Sequence, residues 1–539
     1  MKPIYTLDIE TDPFLHGRDP HPFCVGLYTG DEWFHTWGKN CIQKMQTILH
    51  GLPPGIVYAH NGGKFDYYFC MDWISSRHRV MFINGRIVRA NMWMPDGNTH
   101  ELRDSYAIMP FALKQFEKDE IDYRTFEKGY RERHKKKILS YLKTDCMSLH
   151  KLCVSFFDMF GDNITIGGTS MKQLKKLHKF DELTAEQDGV IRKSYYYGGR
   201  VQCFESGIRV PRQGEKFYAY DLNQCYPYSM RNFNHPISDP IVRRGGPITD
   251  KTFFVTVEGR NYGAFPQRTD DGLRFDIRNG IFSVSIHEFL AAVDTAKFEV
   301  QSIREVVDFE RSGNFHTFVN KYHHLRRAAQ LSGDKIGALF YKYVCNSAYG
   351  KFAQNPESYK DYMITDAYTN LSVQLNDAEW EPCVVNDGAG YIVWQKPSQM
   401  DTRYNVATGA SITGAARSLL IRALAHAKRP LYCDTDSIVC EGLEGVRIDD
   451  TELGAWKVEK IGDRMAIGGR KLYALFDGKE CVKMASKGAQ LTAEQIVSIC
   501  NGDVIEWKKD APSFDLKAHQ SRFIHREIRQ TAKDSVVFI

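Results

Sequence analysis

Two pairs of carboxylates at i, i+2 spacing stand nearly a chain apart: Asp8 and Glu10 in the opening segment, Asp434 and Asp436 inside Leu431-Tyr-Cys-Asp-Thr-Asp-Ser437. Residues two apart on an extended strand point to one face, so each pair can present two acids to a common cation. The fold must therefore carry two distant strands whose acidic faces stay open to a ligand, the raw material of metal-assisted phosphoryl transfer. At 539 residues the chain exceeds what one hydrophobic core organises, and about three or four units are expected.

Charge alone does not name a partner: 71 Lys and Arg against 66 Asp and Glu leave a net +5. The cationic signal is local, in Arg131-Glu-Arg-His-Lys-Lys-Lys137 and His323-His-Leu-Arg-Arg327. The 13 cysteines form no CxxC pair and have no histidines at zinc spacing, which points to a reducing compartment and away from zinc. No apolar run approaches the roughly 18 to 20 residues that span a bilayer, and no secretory signal opens the chain. A soluble, intracellular protein with no membrane partner is expected.

Residues 3–37 alternate as a meander of strands, and 57–59 and 80–87 read as further strands. From 111 to 160 the spacing turns helical, which completes an α/β unit over 1–165. The rest mixes strands and helices: a strand over 217–221, helices over 314–330, 335–352 and 411–428, and a hairpin over 432–439 with the acidic pair at its turn. Residues 356–403 read as loops and strands.

Asp66 ends the loop 59–66, and Tyr141 and Asp145 lie four apart on the expected helix, hence on one face. Asp8, Glu10, Asp66 and Asp145 together can hold two Mg²⁺ ions roughly 4 Å apart, with Tyr141 orienting an attacking water. At the other end, Asp221 stands where its strand turns, and Asp436, supported by Asp434, can supply the opposite face. The chemistry is attack of a primer 3′-hydroxyl on the α-phosphate of a nucleotide. Tyr226 can pack against the sugar and disfavour a 2′-hydroxyl. Lys342, Asn346 and Tyr349 form one helical stripe, placing a cation for the triphosphate and a ring for the nascent base pair.

The first set resembles the 3′-5′ exonuclease of proofreading DNA polymerases, and the second resembles motifs A, B and C of family B DNA polymerases, with Tyr432-Cys-Asp-Thr-Asp-Ser437 the most specific. The resemblance implies an RNase H-like exonuclease domain followed by a right-hand palm, fingers and thumb. It implies that Thr11, Asn61, Phe65 and Ser105 hold an unpaired 3′ end, although Tyr106 replaces the usual Leu after Ser105. It gives Lys118 an exonuclease role, through the Lys-x-x-hydrophobic element of protein-primed members. Tyr196, Gly198 and Gly199 match the YxGG element, and Lys471 and Tyr473 the KxY element; with Thr435 these are implied DNA contacts. Leu222 is implied beside Asp221 as a metal and nucleotide contact, and Arg326 or Arg327 as a triphosphate ligand.

The compact chain looks like the protein-primed branch of phages with linear genomes, tectivirus-like in its exonuclease motifs. That branch implies a palm over 216–235 and 404–475 and fingers over 316–355. It implies terminal-protein-region insertions over 236–315 and 356–403, a YxGG-bearing connection over 166–215 and a thumb over 476–539. Implied partners are template-primer DNA, deoxynucleoside triphosphates and a priming terminal protein, with the chain a monomer or a heterodimer with that protein in the host cytoplasm. Implied cofactors are two Mg²⁺ per active site, with Mn²⁺ a possible substitute. Strand displacement during viral DNA replication follows from the second insertion. Alternatives are a DNA-primed polymerase of a mobile element or plasmid, and a non-catalytic DNA-binding relative, which the intact acids count against. A reverse transcriptase hairpin reads Tyr-x-Asp-Asp, unlike this one.

Overall fold

The computed structural model of the chain describes residues 2–113, 120–270, 272–384 and 390–534. Strand Ile4–Thr11 lies inside a seven-stranded sheet, antiparallel to Pro22–Tyr28 and parallel to Ile56–Ala59, which runs parallel to Thr99–Asp104. Seven of its eight residues are buried, as expected for a strand covered on both faces. The helix Lys135–Phe160 packs across this strand, and Thr6 Oγ1 donates to the Cys146 carbonyl at 2.8 Å. Buried Ile138, Tyr141, Leu142, Asp145, Cys146 and Leu149 recur at three- and four-residue spacing along that helix.

Two expectations are corrected by this unit. The stretch 80–87 is not one strand but the whole of Met81–Ile83, a turn at Asn84-Gly85, and the start of Arg86–Trp93. Helix does not run from 111: the described residues up to 134 hold short 3₁₀ turns, and α-helix begins at Lys135. Asp122 explains part of this, because its side chain accepts from the Arg124 backbone N–H and closes a tight turn instead of a helix.

A five-stranded sheet carries the second acidic set, in the order Trp456–Gly462, Phe217–Leu222, Ser437–Cys440, Tyr432–Asp434, Val201–Cys203. Helix Val406–Ala425 packs against the elements around it. The helix begins five residues before the expected 411 and stops three before 428. Asn405 caps it by accepting from Thr408 N–H, and Ala427–Lys428 instead pairs with Gly442–Leu443. The connection over 166–215 is structured, with helices Ile166–Lys175 and Ala185–Ser194.

Between the strand 217–222 and the helix Lys335–Phe352, a four-stranded sheet is followed within its own sequence by helix Ile286–Asp294, which packs on Val406–Ala425. Strands Lys360–Asp366 and Tyr391–Pro397 form an antiparallel pair that docks on the N-terminal unit, where the Tyr362 and Phe82 rings lie 4.8 Å apart. The expected 475/476 boundary cuts the strand Leu472–Asp477, which shares a sheet with Arg464–Gly469 and Glu480–Ser486. The two sides of that boundary are therefore one packed layer. Among the described residues no helix is long and apolar enough to cross a membrane.

Where the short strand His235–Pro236 meets Val406–Ala425, His235 is buried between Ser411 Oγ and the Ser229 carbonyl, each at 2.9 Å. Burial drives its pKa down to about 3 and that of neighbouring His287 to about 4. Both are neutral when folded, whereas the unfolded chain takes up protons near the ordinary value of 6.5. The stability they permit is complete above about pH 6.5 and is lost as pH falls toward 4. The urea midpoint is expected to drop between pH 7.5 and 5.5, and to drop less in His235→Gln, which keeps a donor and an acceptor without the titration.

Candidate functional site

The N-terminal acids meet where strand Ile4–Thr11 faces helix Lys135–Phe160. Asp8 and Glu10 project from one side of the strand, opposite Gly26 and Cys24 of the next. Asp66 opens the 3₁₀ segment Asp66–Trp73 and accepts from Ile9 N–H at 3.1 Å, which ties its carboxylate to the strand between the two acids. Asp145 comes from the helix, one turn after Tyr141, whose hydroxyl lies 3.3 Å from that of Tyr123.

These carboxylates feel one another. Burial raises Asp66 well above the usual carboxylate range, and Asp8 adds to the rise. Burial, then Asp8, Asp145, Glu10 and Asp66, raise the Cys146 thiol. Around this group, Asp104 pairs with Arg86 and accepts from Gly63 N–H at 3.1 Å and from Tyr106 N–H at 2.9 Å. Gly63 must be glycine, because a Cβ there would lie 1.9 Å from the Ile87 carbonyl oxygen. Ser105 Oγ lies 2.9 Å from His60 Nδ1. Asn61 is exposed in the left-handed region at φ 63°, and half-buried Phe65 meets Phe14, Phe69 and Phe514 edge-on at 5.4 to 5.7 Å. Thr11 is buried at the end of the strand. Lys118 lies outside the described residues.

In the second site, the antiparallel pairing of Asp221 with Ser437 puts the strand end beside the hairpin turn, and Leu222 N–H donates to the Asp436 carbonyl at 2.7 Å. Burial and the nearby Asp221 push Asp436 up to about 7. Asp434 is engaged differently: Lys471 Nζ lies 2.6 Å from its Oδ2, and the Tyr432 hydroxyl 3.4 Å away. Lys457 bridges Asp221 and Glu459 at 3.4 and 3.2 Å, and Lys483 holds Glu459 at 2.6 Å.

The helix Lys335–Phe352 brings its stripe alongside. Tyr349 stacks on Tyr226, ring centroids 3.8 Å apart and planes within 14°. Asn346 Oδ1 is buried without a hydrogen-bond partner among the described residues. Burial and the charges of Arg326 and Lys457 lower the Lys342 pKa. Arg326 is half-buried toward Lys342, whereas Arg327 is exposed, so the phase of the helix separates two residues that sequence left equivalent.

Among the described residues no three His, Cys, Asp or Glu side chains are closed to metal-holding spacing. Both acidic sets nevertheless fit hard divalent cations by their chemistry. They offer oxygen donors, and in each a buried carboxylate has its proton affinity raised by another.

The turn between Asp434 and Asp436 is braced from behind. Thr435, at φ 58°, donates from its N–H to the Arg200 carbonyl at 2.7 Å, and Gly199 packs so closely that a Cβ would lie 2.4 Å from Thr435 Oγ1. The preceding carbonyls of Tyr197 and Gly198 accept from Arg417 Nη1 at 2.6 and 2.8 Å. Arg417 is itself gripped at both ends of its fork by Glu288, at 2.6 and 2.9 Å. Arg268 donates to the Tyr196 carbonyl and lies over the Tyr197 ring. Arg470, Lys471 and Lys487 line a groove beside Gly199 with Leu273 and Phe275; Tyr473 packs on Tyr432 with ring centroids 4.8 Å apart.

Sequence reasoning missed Arg417, Glu288, Lys457, Glu459 and Lys483. One signal was available: an arginine within the small and apolar run 410–424 must find an acid in the interior.

The sequence model of DNA polymerase type B, organellar and viral, matches residues 114–439. The chain is 43% identical to the DNA-directed DNA polymerase of Enterobacteria phage PRD1, over 98% of each chain. It is 24% identical to the DNA polymerase of Bacillus phage Nf, over 69% of this chain and 66% of that one. Its structure is similar to that of phi29 DNA polymerase complexed with primer-template DNA, at a TM-score of 0.72 and 18% identity, covering 98% of this chain and 100% of that chain.

The Arg417–Glu288 pair has side chains 3% and 0% exposed, so removing one partner strands a buried charge. Arg417→Ala is expected to cost about 3–5 kcal/mol of unfolding free energy, and Arg417→Met with Glu288→Leu much less. Denaturant melts of the single and double variants check this.

Proposed function

Because the chain belongs to the organellar and viral type B DNA polymerases, and is a DNA-directed DNA polymerase with an exonuclease unit followed by a polymerase unit in its fold, we propose that it copies a linear viral genome from a protein primer and proofreads its product. The observation that carries the catalytic reading is the juxtaposition of Asp221 and Asp436, where burial and then the charge of Asp221 push the Asp436 pKa up to about 7. Such a pair invites a divalent cation, and Mg²⁺ suits the all-oxygen donors, with Mn²⁺ a possible substitute.

In this reading, Asp221 and Asp436 would hold divalent cations, which would ease loss of the 3′-hydroxyl proton and offset charge developing on the phosphate. The residues of the chain position everything else. Asp221 and Asp436, with the Leu222 backbone, hold the reacting phosphate's side of the cleft, and Lys471 keeps Asp434 drawn toward the primer strand instead. The Tyr226–Tyr349 stack forms a flat wall where a deoxyribose fits and a 2′-hydroxyl crowds. Lys342, Arg326 and the unsatisfied Asn346 Oδ1 face the triphosphate and nucleotide. Gly198, Gly199, Thr435 and Tyr473 line the path of the duplex.

In the N-terminal unit, Asp8, Glu10, Asp66 and Asp145 form the hydrolytic centre, and Tyr141 orients water toward the terminal phosphodiester. Thr11, Asn61, Phe65 and Ser105 seat the unpaired 3′ end. We assign 1–165 to the exonuclease, 236–315 and 356–403 to insertions that meet a terminal protein and help displace the non-template strand, and 316–355 to the fingers. The thumb begins after the sheet that contains Leu472–Asp477, in place of residue 476.

Asp436→Ala is expected to reduce nucleotide addition on the order of a thousandfold while single-stranded 3′ ends are still degraded. Asp8→Ala with Glu10→Ala is expected to do the reverse. Primer extension and excision, measured on the same preparations, check both, and joint loss in either variant contradicts two separate centres. With deoxynucleotides, Mg²⁺ and the cognate terminal protein but no oligonucleotide, label is expected to become covalently attached to protein; label only on added DNA primers favours a DNA-primed enzyme.

A further inference from the structure

Three rings from distant segments meet beside the N-terminal acids. Phe65 directly precedes Asp66, and Phe14 follows Glu10 by four residues, in the segment that leaves strand Ile4–Thr11. Their rings meet edge to face, with centroids 5.7 Å apart and planes at 88°. Phe514 adds a third ring 5.5 Å from Phe65, and is itself lodged against Phe69 at 5.9 Å and Tyr68 at 4.5 Å. It belongs to strand Ser513–Asp515, which pairs with Gln520–Arg522 as a hairpin near the other end of the chain.

Both outer rings stand on fixed supports. Phe14 precedes a turn closed by the Arg18 N–H, which donates to the Leu15 carbonyl at 3.0 Å. The Arg18 guanidinium holds the Glu127 carboxylate at 3.1 Å and donates to the Pro13 carbonyl, and Asp12 pairs with Arg131 at 2.9 Å. The hairpin is docked through Leu516, fully buried in the apolar cluster that includes Leu7, Tyr67 and Trp73. Ser521 Oγ donates to Asp19, and the His519 ring lies 4.5 Å from Tyr68.

Within this framework Phe14 nevertheless stays 41% exposed. Single exposed apolar residues are ordinary, but this one touches the ring whose neighbour in the chain is a buried acid of the cluster. Edge-on rings do not cover each other's faces as a parallel pair would, so flat apolar surface remains for a planar ligand. The strand whose last phosphodiester lies at Asp8, Glu10, Asp66 and Asp145 supplies one. Its terminal bases have left the duplex and lost their stacking, and aromatic rings replace that stacking whatever the base.

We propose that Phe14 and Phe65 form a two-ring seat for the last bases of an unpaired 3′ end, and that Phe514 is a positioning residue that holds Phe65 in it. This deepens the hydrolytic assignment above and rests on it. The C-terminal hairpin thereby becomes part of the excision site.

The test uses the full chain with Mg²⁺ and single-stranded oligonucleotides, measuring KM and kcat of excision, with primer extension followed on the same preparations. Phe14→Ala is expected to raise the excision KM about tenfold, the loss of one base–ring stack, with kcat changed less than about twofold. Phe14→Trp should restore the KM and Phe14→Leu should not, because leucine keeps apolar bulk without a ring face. Phe514→Ala is expected to raise KM about fivefold through a displaced Phe65, and Phe514→Tyr to restore it. Primer extension should be unchanged in all four. On an oligonucleotide whose last two residues are abasic, the wild-type KM should rise at least as far as Phe14→Ala raises it, and the difference between wild type and both Ala variants should vanish. An unchanged KM in Phe14→Ala overturns the seat, and in Phe514→Ala the positioning role. A defect that persists at full size on abasic ends also overturns the seat, since it would mark a loosened support for the acids. Each of these results leaves the hydrolytic reading standing as long as the wild-type chain degrades single strands. If Phe514→Ala melts below the assay temperature, Phe514→Leu takes its place with the same expectation. A wild-type chain that degrades no single-stranded 3′ end overturns the hydrolytic reading and the seat together.

Discussion

One buried ion pair organises the polymerase half of the molecule. Arg417 and Glu288 come from helices Val406–Ala425 and Ile286–Asp294, and both carboxylate oxygens are used. Charges in such a place are stable only when each donor and acceptor is satisfied. Arg417 meets that demand by reaching past Glu288 to the carbonyls of Tyr197 and Gly198, and Glu288 by capping its own helix through Ser285. The backbone so held continues into Gly199 and Arg200, which seat the turn at Thr435. Helix Ile286–Asp294, helix Val406–Ala425, the segment 197–200 and the acid-bearing turn are therefore constrained together, and moving any one disturbs the position of Asp436.

The acids themselves oppose this order. Burial and then the charge of Asp221 raise the proton affinity of Asp436, as burial and then Asp8 do for Asp66. Native structure stores this repulsion where the proposed chemistry would place cations, a form of preorganisation that costs stability locally and is offset by the cores around it. The two acids of the hairpin differ in their partners, since Lys471 neutralises Asp434 and leaves Asp436 to face Asp221. The expected strand pair is instead a strand end and a turn, Asp434 closing Tyr432–Asp434 and Asp436 following Thr435 at φ 58°, and Lys471, from the turn before Leu472–Asp477, makes the two acids unequal.

Local geometry explains what the sequence disclosed. The i, i+2 pair Asp8 and Glu10, the i, i+4 pair Tyr141 and Asp145, and the stripe Lys342, Asn346, Tyr349 depend only on the period of one element, and each element formed. Partners far apart in the chain were not legible. Nothing in the spacing of Glu288 and Arg417 announces their contact across 129 residues, nor that of Lys457 with Asp221. Helix phase was equally hidden: Arg326 and Arg327 are adjacent letters, and only packing of the helix turns one inward. The ends of Val406–Ala425 were misjudged because the helix is buried on nearly every side, so no polar face marks its period.

The two acidic clusters share more than a chain. Helix Lys135–Phe160, which bears Tyr141 and Asp145, packs its far end against helix Lys335–Phe352, where the Phe156 and Phe340 rings lie 5.4 Å apart. Phe111 also stacks on Tyr343 of that helix at 5.5 Å. The helix that carries Lys342 and Tyr349 is thus seated on the unit that holds Asp8, Glu10, Asp66 and Asp145. Close-packed interiors shift as discrete rearrangements and transmit strain, so a rotation of that helix about its axis would be felt at both the Tyr226 stack and the Phe156 contact. The two acidic clusters stand far apart along the chain, yet the helix Lys335–Phe352 both stacks Tyr349 on Tyr226 beside one and packs on the helix that bears Asp145 of the other.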